Sequence, residues 1–476
     1  MASDSASLCA PVPRRALLLE HFLAITEGWR VVFPSRPTFK RAVAQALGGL
    51  LALGRRTITR ILCTNGRAQL PWAADYHLHS RCVWEPQGLF DPIWREALPL
   101  CKDKVVGVAF DDTKLHKTGR CIQQAFYQRD PLGPPFHVNL MLGLRFLQCS
   151  LLVPAFRGAA RLATRALPVY FGESSRVKRP GKKASADEVA AWKVASKEQN
   201  LSQHAVRTMH EMRAALDAAG GAGKMLVMAG DGSFCNKACF KAVIERTELL
   251  VRCRKDAVLC ARAQGEGRRF YSASKLRPEA VRQDEGIAWR TTKPHYGGKK
   301  RKVRYKEIKS VYWQGGAGRR ELRLIIIAPT AYRKRKSGKV YYRQAAYLLT
   351  SDLRTPAAKL IQIYLDRWQI EVNHREEKDT LGVGQAQLWN VKAVPRQPVL
   401  AVAAYSALLL AGIKAYGCER GEDYAPLPAW RSKRPRRPSC QDLVAQLREE
   451  ATSHGAHLLP ASMSLSPPAM IAAAAA

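Results

Sequence analysis

Hydrophobic positions recur with helical period through the first hundred residues. Residues 38–53 carry an apolar face with Arg41 on the polar side. A break at Gly54 leads into a second short helical stretch ending at Leu62 and bearing Arg55, Arg56 and Arg60. Such a pair fits a DNA-reading helix-turn-helix and a plain helical bundle equally well. From residue 105 the pattern turns to short apolar runs bounded by turn residues, at 105–110, 121–128 and 136–148. An antiparallel three-strand opening is expected. Residues 174–197 are polar and basic, a loop running into a helix. Residues 202–218 return to helical period, 225–229 read as strand, 236–246 as helix and 248–254 as strand.

Residues 255–351 interrupt this alternation with strand-like segments at 303–311, 322–327 and 339–349. Two basic turns accompany them, Gly297-Gly-Lys-Lys-Arg-Lys302 before the first and Tyr332-Arg-Lys-Arg-Lys-Ser-Gly338 before the last. Their tips are nearly free of acidic residues, which suits contact with phosphate. One continuous helix is expected next, opened by the N-cap Thr355 with Pro356 behind it and closed by Gly382. At about 100° per residue, Tyr364, Arg367, Glu371 and Lys378 fall within an arc of roughly 60°. Ile361, Leu365, Trp368 and Val372 make the neighbouring apolar stripe, expected to pack on a sheet. Residues 399–413 are apolar but short for a membrane span, and read as a buried helix. Beyond residue 417 the chain becomes Pro/Arg-rich and then low in complexity. A flexible tail is expected there, with one helix at 440–451.

Three acidic points stand out. Asp111-Asp112-Thr113 closes the first apolar run, Asp231 closes the run 225–230, and Glu371 lies on the late helix. Two strands ending in carboxylates, with a helix-borne Glu, can gather three hard oxygen ligands around Mg²⁺. Arg367 and Lys378 beside Glu371 add cations where a phosphate ester would be held during attack. On the residues alone Asp111 competes with Asp112. Glu376 and Glu377 are expected to turn away from the motif face, and His116 and His374 to be polar surface groups.

The spacing Tyr-(2)-Arg-(3)-Glu-(6)-Lys, met by Tyr364, Arg367, Glu371 and Lys378, resembles the signature of DDE transposases of bacterial insertion sequences. Asp112-Thr113 resembles the first catalytic motif of that group and Asp231-Gly232 the second, in the right order, over roughly residues 105–387. The resemblance implies an α/β chain: an RNase H-like mixed sheet flanked by helices, interrupted by a β-rich insertion, with a helical N-terminal domain. The implied division is 1–100 for the helical domain, which contacts transposon ends in the family, and 101–254 with 352–417 for the core. Residues 255–351 are the insertion and 418–476 the flexible tail.

The resemblance selects Asp112 over Asp111, because the family places Thr directly after the ligand; alternation would then send Asp111 to the opposite face. Asp112, Asp231 and Glu371 are the implied catalytic ligands of two Mg²⁺ ions, for which Mn²⁺ can substitute, with Asp112 bridging both. The implied activity is cleavage at transposon ends and strand transfer into target DNA. A nuclease without strand transfer and a domesticated DNA-binding protein are the alternatives. Tyr364, Arg367 and Lys378 are implied to touch DNA phosphates, and Lys299, Lys300, Arg301 and Lys302 to grip DNA from the insertion. Trp313 is the candidate for stacking on a flipped base, against the plainer reading of a core strand aromatic. The implied partners are double-stranded DNA, as terminal inverted repeats and target, and a second copy of the chain bound to it. The implied location is the bacterial cytoplasm, at the nucleoid.

Charge supports a polyanionic partner: 77 Lys and Arg against 39 Asp and Glu give +38, beyond what solubility requires. Twelve cysteines without a disulfide framework point to a reducing compartment. Cys235 and Cys239 read as buried on a helix rather than as zinc ligands. Residues 1–15 lack the apolar core of a secretory leader, and no membrane segment is expected.

Overall fold

The chain divides into two units, one of Met1–Trp84 with Ala407–Ala476 and one of Glu85–Ser406. The structure, a computed structural model, describes residues 17–119, 121–130, 133–134, 138–157, 160–264, 268–335, 337–417, 429–430 and 437–458. The leader-free start expected at 1–15 and most of the tail expected at 418–476 lie outside the described residues. The first unit ends before residue 100, because helix Asp91–Ala97 buries Ile93 and Trp94 in the second.

Helices Leu17–Glu27, Arg36–Leu51, Ile58–Thr64 and Ala73–Ser80 form the first unit around Leu19, Phe22, Leu47 and Ile61. Gly48 admits a close approach: a Cβ there would stand 2.3 Å from Asn65 Oδ1. Asn65 in turn donates to the Ala44 carbonyl at 2.9 Å. Of the three arginines placed on the second helix of this pair, only Arg60 lies on it. Thr57 caps that helix, leaving Arg55 and Arg56 in the preceding turn. Part of the expected tail is a helix, Cys440–Leu458, longer than the 440–451 expected, with Leu443, Val444 and Leu447 buried. Arg448 donates to the carbonyls of Leu51 (2.9 Å) and Ala52 (3.0 Å), and Glu450 accepts the Leu19 amide at 2.8 Å. Side chains that look like solvated surface in the sequence thus satisfy open backbone groups at helix ends.

In the second unit, twelve strands form one mixed sheet among the described residues. Central β1 (Val105–His116) runs antiparallel to β2 (Leu140–Arg157), which runs antiparallel to β3 (Ala160–Glu173). On its other side β1 is parallel to β4 (Met225–Gly230), and β4 is parallel to β5 (Thr247–Arg252). The strand expected at 121–128 is only Phe126–Arg129, paired with the start of β2. The edge position of β3 accommodates Pro168, a residue that argues against a strand when met in sequence. The helix expected over 236–246 is reduced to Lys237–Lys241, on which Cys239 is buried.

The insertion continues this sheet. Its strands β6 (Val303–Tyr312), β7 (Glu321–Ile327) and β8 (Ala346–Thr350) are antiparallel neighbours, and β8 pairs with β5. The backbone edge of β5 is thereby satisfied. The segment expected as one strand at 339–349 is split. Val340–Arg343 pairs with Thr330–Arg333 in a separate ribbon, and β8 follows.

The helix after the insertion is also split, into α1 (Ala357–Asp366) and α2 (Gln369–Arg375), followed by a wide turn at Glu376–Thr380. Pro356, not Thr355, occupies the N-cap. Between the helices, the amides of Ile370 and Glu371 bond to carbonyls three residues back, on Arg367 (3.0 Å) and Trp368 (3.2 Å). That tightening changes the helical phase. Leu360, Ile361, Ile363 and Ile370 pack on Ala109, Val227, Leu250 and Leu348. Trp368 is 61% exposed and Val372 only half-buried, so the expected stripe does not continue past Leu365. Gly107 permits the tight seat of α1 on β1: a Cβ there would lie 3.0 Å from Ile363 Cγ2. The chain ends this segment at Gly382, whose φ of 62° suits glycine. A later helix, Ala393–Tyr416, is long and apolar enough to cross a membrane, unlike the short run expected; 72% of its apolar window is buried in protein, as in a core helix.

The two sides of this segment have different stability consequences. Ile370→Ala should lose about 2–5 kcal/mol through a cavity, whereas Trp368→Ala should stay within about 0.5 kcal/mol of the parent. Urea unfolding of the two variants checks this; equal losses would place Trp368 in the core.

Candidate active site

Register decides which carboxylates meet. Val105 pairs with Met225 and Ala109 with Ala229 across the parallel strands. Two residues farther along each chain, Asp111 and Asp231 stand level and on one face, at a strand spacing of about 4.8 Å. The next strand extends the row, since Gly230 pairs with Val251 and Arg252 then stands level with Asp231. Asp112 is one position on and points to the other face. There burial raises its pKa, while Arg145 and Lys114 pull it down more strongly than Asp231 pushes it up. The expectation that Asp112 faces Glu371 and Asp111 does not is therefore reversed. A period of two puts Asp111 with Ala109 and Gly107, on the face that carries α1 and α2.

Asp111 is nearly buried, and its Oδ1 accepts the Asp112 amide at 2.9 Å. Its Oδ2 lies 3.5 Å from Arg367 Nη1, and the same nitrogen lies 3.6 Å from Glu371 Oε1. One guanidinium nitrogen thus sits against both carboxylates. Burial first, then the charge of Asp231, pushes the Asp111 pKa up to about 8; Arg367 opposes this, and Glu371 and Asp112 add to it. Asp231 is oriented by its own turn, accepting the Ser233 amide at 2.8 Å and the Ser233 hydroxyl at 3.3 Å.

The remaining signature residues share the corner. Burial raises the pKa of the half-buried Tyr364, which Arg367 and Arg252 lower and Asp231 raises. Burial lowers that of Lys378, which Glu377, Asp379, Glu371 and Asp112 raise. The tight step before Glu371 and the wide turn after Arg375 shift the helical phase in opposite senses, which keeps Lys378 beside Glu371. The wide turn has another effect. His374, expected on the surface, is buried, and burial lowers its pKa to about 3. Glu377 turns from the motif face as expected but into the core, where burial raises its pKa to about 8.

The basic tip of the insertion begins as a two-residue hairpin. Gly297 and Gly298 both take positive φ, 58° and 78°, and join His295–Tyr296 to Lys299–Lys300. Lys299, Lys300 and Lys302 are exposed, whereas the Arg301 guanidinium lies over the Tyr296 ring, 5.1 Å from its centre. Gln362 on α1 holds the hairpin by accepting from the His295 amide (2.8 Å) and donating to its carbonyl (2.9 Å). Trp313 is half-buried, edge-on to Phe240 with ring centres 5.7 Å apart. It lines a cavity of about 840 Å³ together with Gly232, Arg252, Lys255 and Arg282. Trp313 follows β6 rather than lying in it and is only half-buried, so it is not a core strand aromatic.

The sequence pattern did not single out Arg252, and it put Asp112 rather than Asp111 on the face of Glu371. A signal was present: Ala109-Phe-Asp111 and Ala229-Gly-Asp231 share an Ala-x-Asp ending, which aligns Asp111 with Asp231. Asp111, Asp231 and Glu371 are hard oxygen donors, and the raised pKa of Asp111 marks a corner short of positive charge. By that chemistry they fit a divalent cation. Among the described residues, no three His, Cys, Asp or Glu side chains are drawn together closely enough to hold a metal, and Arg367 stands between Asp111 and Glu371.

Asp111 binds its proton more tightly in the folded state, at about 8, than an ordinary aspartate at 3.8. Its contribution to stability is therefore full below about pH 4 and is lost as pH rises through 8. In metal-free buffer, Asp111→Asn should melt near the parent at pH 4 and several degrees above it at pH 8.5. Glu377 and His374 titrate in both proteins and cancel. Parallel melting curves across this range would contradict the assignment. A scan against protein-family models finds no match to this chain, and a search of the curated proteins finds none either.

Proposed function

We propose that the chain is a DNA transposase of the DDE kind, cutting and joining DNA by phosphoryl transfer through Asp111, Asp231 and Glu371. The observation that carries this reading is the row of two strand-end carboxylates, with Glu371 and Arg367 above them. The strand order β3-β2-β1-β4-β5, antiparallel on one side of β1 and parallel on the other, is compatible with an RNase H-like core and supports the same reading. Asp111 takes the place of Asp112 as the first ligand.

Mg²⁺, or Mn²⁺ in its place, would be held by these three carboxylates. Bound there, two such ions would supply an activated water or DNA 3′-hydroxyl and stabilise the leaving oxygen. The protein's own groups position the substrate. Arg367 already lies against the two carboxylates, and relief of that pairing frees it for a phosphate oxygen. Lys378 adds a second cation, and Tyr364 keeps its proton and donates as a neutral phenol. Arg252 extends the cationic row towards the cavity walled by Trp313. Exposed Lys299, Lys300 and Lys302 lie on a hairpin tied to α1, where a duplex running past the scissile phosphate would meet them. The partners in this reading are double-stranded DNA and a second copy of the chain, and the net charge of +38 suits the first.

Asp111→Asn, Asp231→Asn and Glu371→Gln should each abolish Mg²⁺-dependent cleavage of end DNA while leaving DNA binding intact. Asp112→Asn should keep most of the activity. Single-turnover cleavage of a DNA carrying the inverted repeats that flank the gene measures this, and the reverse ranking of Asp111 and Asp112 would sink the assignment. Cleavage without strand transfer would move the reading to a nuclease, and binding without either to a DNA-binding protein.

Salt dependence tests the insertion. Replacing Lys299, Lys300 and Lys302 together by Gln should flatten the log–log slope of DNA binding by about 0.9 for each phosphate no longer neutralised. Arg301→Gln should change it less, because its guanidinium is engaged with Tyr296. An unchanged slope for the triple variant would turn the hairpin tip to solvent.

A further inference from the structure

Glu371 is not held in place by an unbroken helix. Its own helix, α2, is seven residues long, with a tight step before it and a wide turn after it. So short a helix has little stability of its own, and its position must come from what it touches. Ile370 supplies an apolar anchor, fully buried beside α1. The polar anchor is Asn373, 3% exposed and two residues after Glu371. Its side-chain amide is fully used. Oδ1 accepts from Ser150 Oγ on β2 at 3.0 Å, and Nδ2 donates to the Ala166 carbonyl on β3 at 3.1 Å and to Tyr405 Oη at 2.9 Å. Tyr405 donates onward to Glu376. Ser150 also receives Gln148 Nε2 at 3.3 Å, and Gln148 is the cross-strand partner of Asp111. A buried chain of hydrogen bonds therefore runs from the strand position facing Asp111 to α2, the helix that carries Glu371.

We propose that Asn373 is a positioning residue, whose three hydrogen bonds hold Glu371 in register with Asp111 and Asp231. That Glu371 then acts on a reacting group rests on the phosphoryl-transfer reading; the tie itself does not. Supporting groups of this kind typically change metal affinity by about 10–100-fold when removed. No apolar side chain can replace the amide, because Ser150, Ala166 and Tyr405 would each lose a buried partner.

The test uses the full chain with Asn373→Leu and the milder Tyr405→Phe, which keeps the amide and removes one partner. Four quantities are read: thermal midpoint, DNA binding without divalent ion, Mn²⁺ concentration for half-maximal cleavage, and amide exchange over residues 369–375. Asn373→Leu should exchange at least tenfold faster in that segment, with β1 and β4 unchanged. It should need about tenfold more Mn²⁺ or beyond, and bind DNA as the parent does. Tyr405→Phe should shift both quantities the same way by less, and decides the matter if Asn373→Leu does not fold. A lower midpoint with unchanged segment exchange and unchanged Mn²⁺ requirement would make Asn373 merely structural and overturn the proposal. A parent protein that neither responds to Mn²⁺ nor cuts DNA would remove the phosphoryl-transfer reading. The tie would then be upheld by faster segment exchange in the variants and overturned by unchanged exchange.

Discussion

Like charges forced together at one corner of a sheet are the constraint on which the candidate site depends. Parallel pairing of β1 and β4 puts Asp111 level with Asp231, and α2 brings Glu371 over them. Two adjustments relieve the repulsion in this structure: Arg367 places its guanidinium against Asp111 and Glu371, and Asp111 holds its proton to about 8. Burial and neighbouring carboxylates favour the protonated form of Asp111, and the adjacent guanidinium opposes them. Packing and hydrogen bonds around the corner fix its geometry. Gly107 lets α1 sit close on β1, and Asn373 uses every polar atom of its amide to hold the segment after Glu371.

Irregularity in the late helix serves this arrangement. An ideal helix with the spacing of Tyr364, Arg367, Glu371 and Lys378 would carry Trp368 into the core. Here the tight step at Arg367–Trp368 turns Trp368 outwards and leaves Ile370 on the sheet. The wide turn that follows moves His374 and Glu377 inwards while Lys378 stays near Glu371. Burying two titratable groups costs stability unless they lose their charge, and their pKa shifts have the direction that neutralises both at neutral pH.

Much of this was legible in the sequence, and the failures have identifiable physical causes. The runs ending at Asp111 and Asp231 read correctly as strands because a buried parallel strand is a continuous apolar run. The grouping of Tyr364, Arg367, Glu371 and Lys378 was legible because helical spacing gathers four polar groups on one side within fifteen residues. The choice of Asp112 followed the neighbouring Thr113, whereas the register, which only the paired strand supplies, puts Asp111 on the face of Arg367 and Glu371. The phase of Trp368 failed because a hydrophobic stripe assumes a constant 3.6-residue turn. β3 went unseen because its alanines and Pro168 have little strand character, and hydrogen bonding to β2 overrides that preference. The helix Cys440–Leu458 was expected as an isolated helix in a flexible tail because its flanks are Pro/Arg-rich and low in complexity; that Arg448 and Glu450 satisfy backbone groups of distant helices shows only in the fold.

The most direct measurement is anomalous diffraction from crystals of the chain bound to end DNA and soaked with Mn²⁺. A metal peak at ligand distance from Asp111, Asp231 and Glu371, with Arg367 turned from the carboxylates to the DNA phosphate, is the result this account predicts. A peak on Asp112 instead, or a fully occupied DNA complex with no metal at this corner and Arg367 still between Asp111 and Glu371, would contradict it.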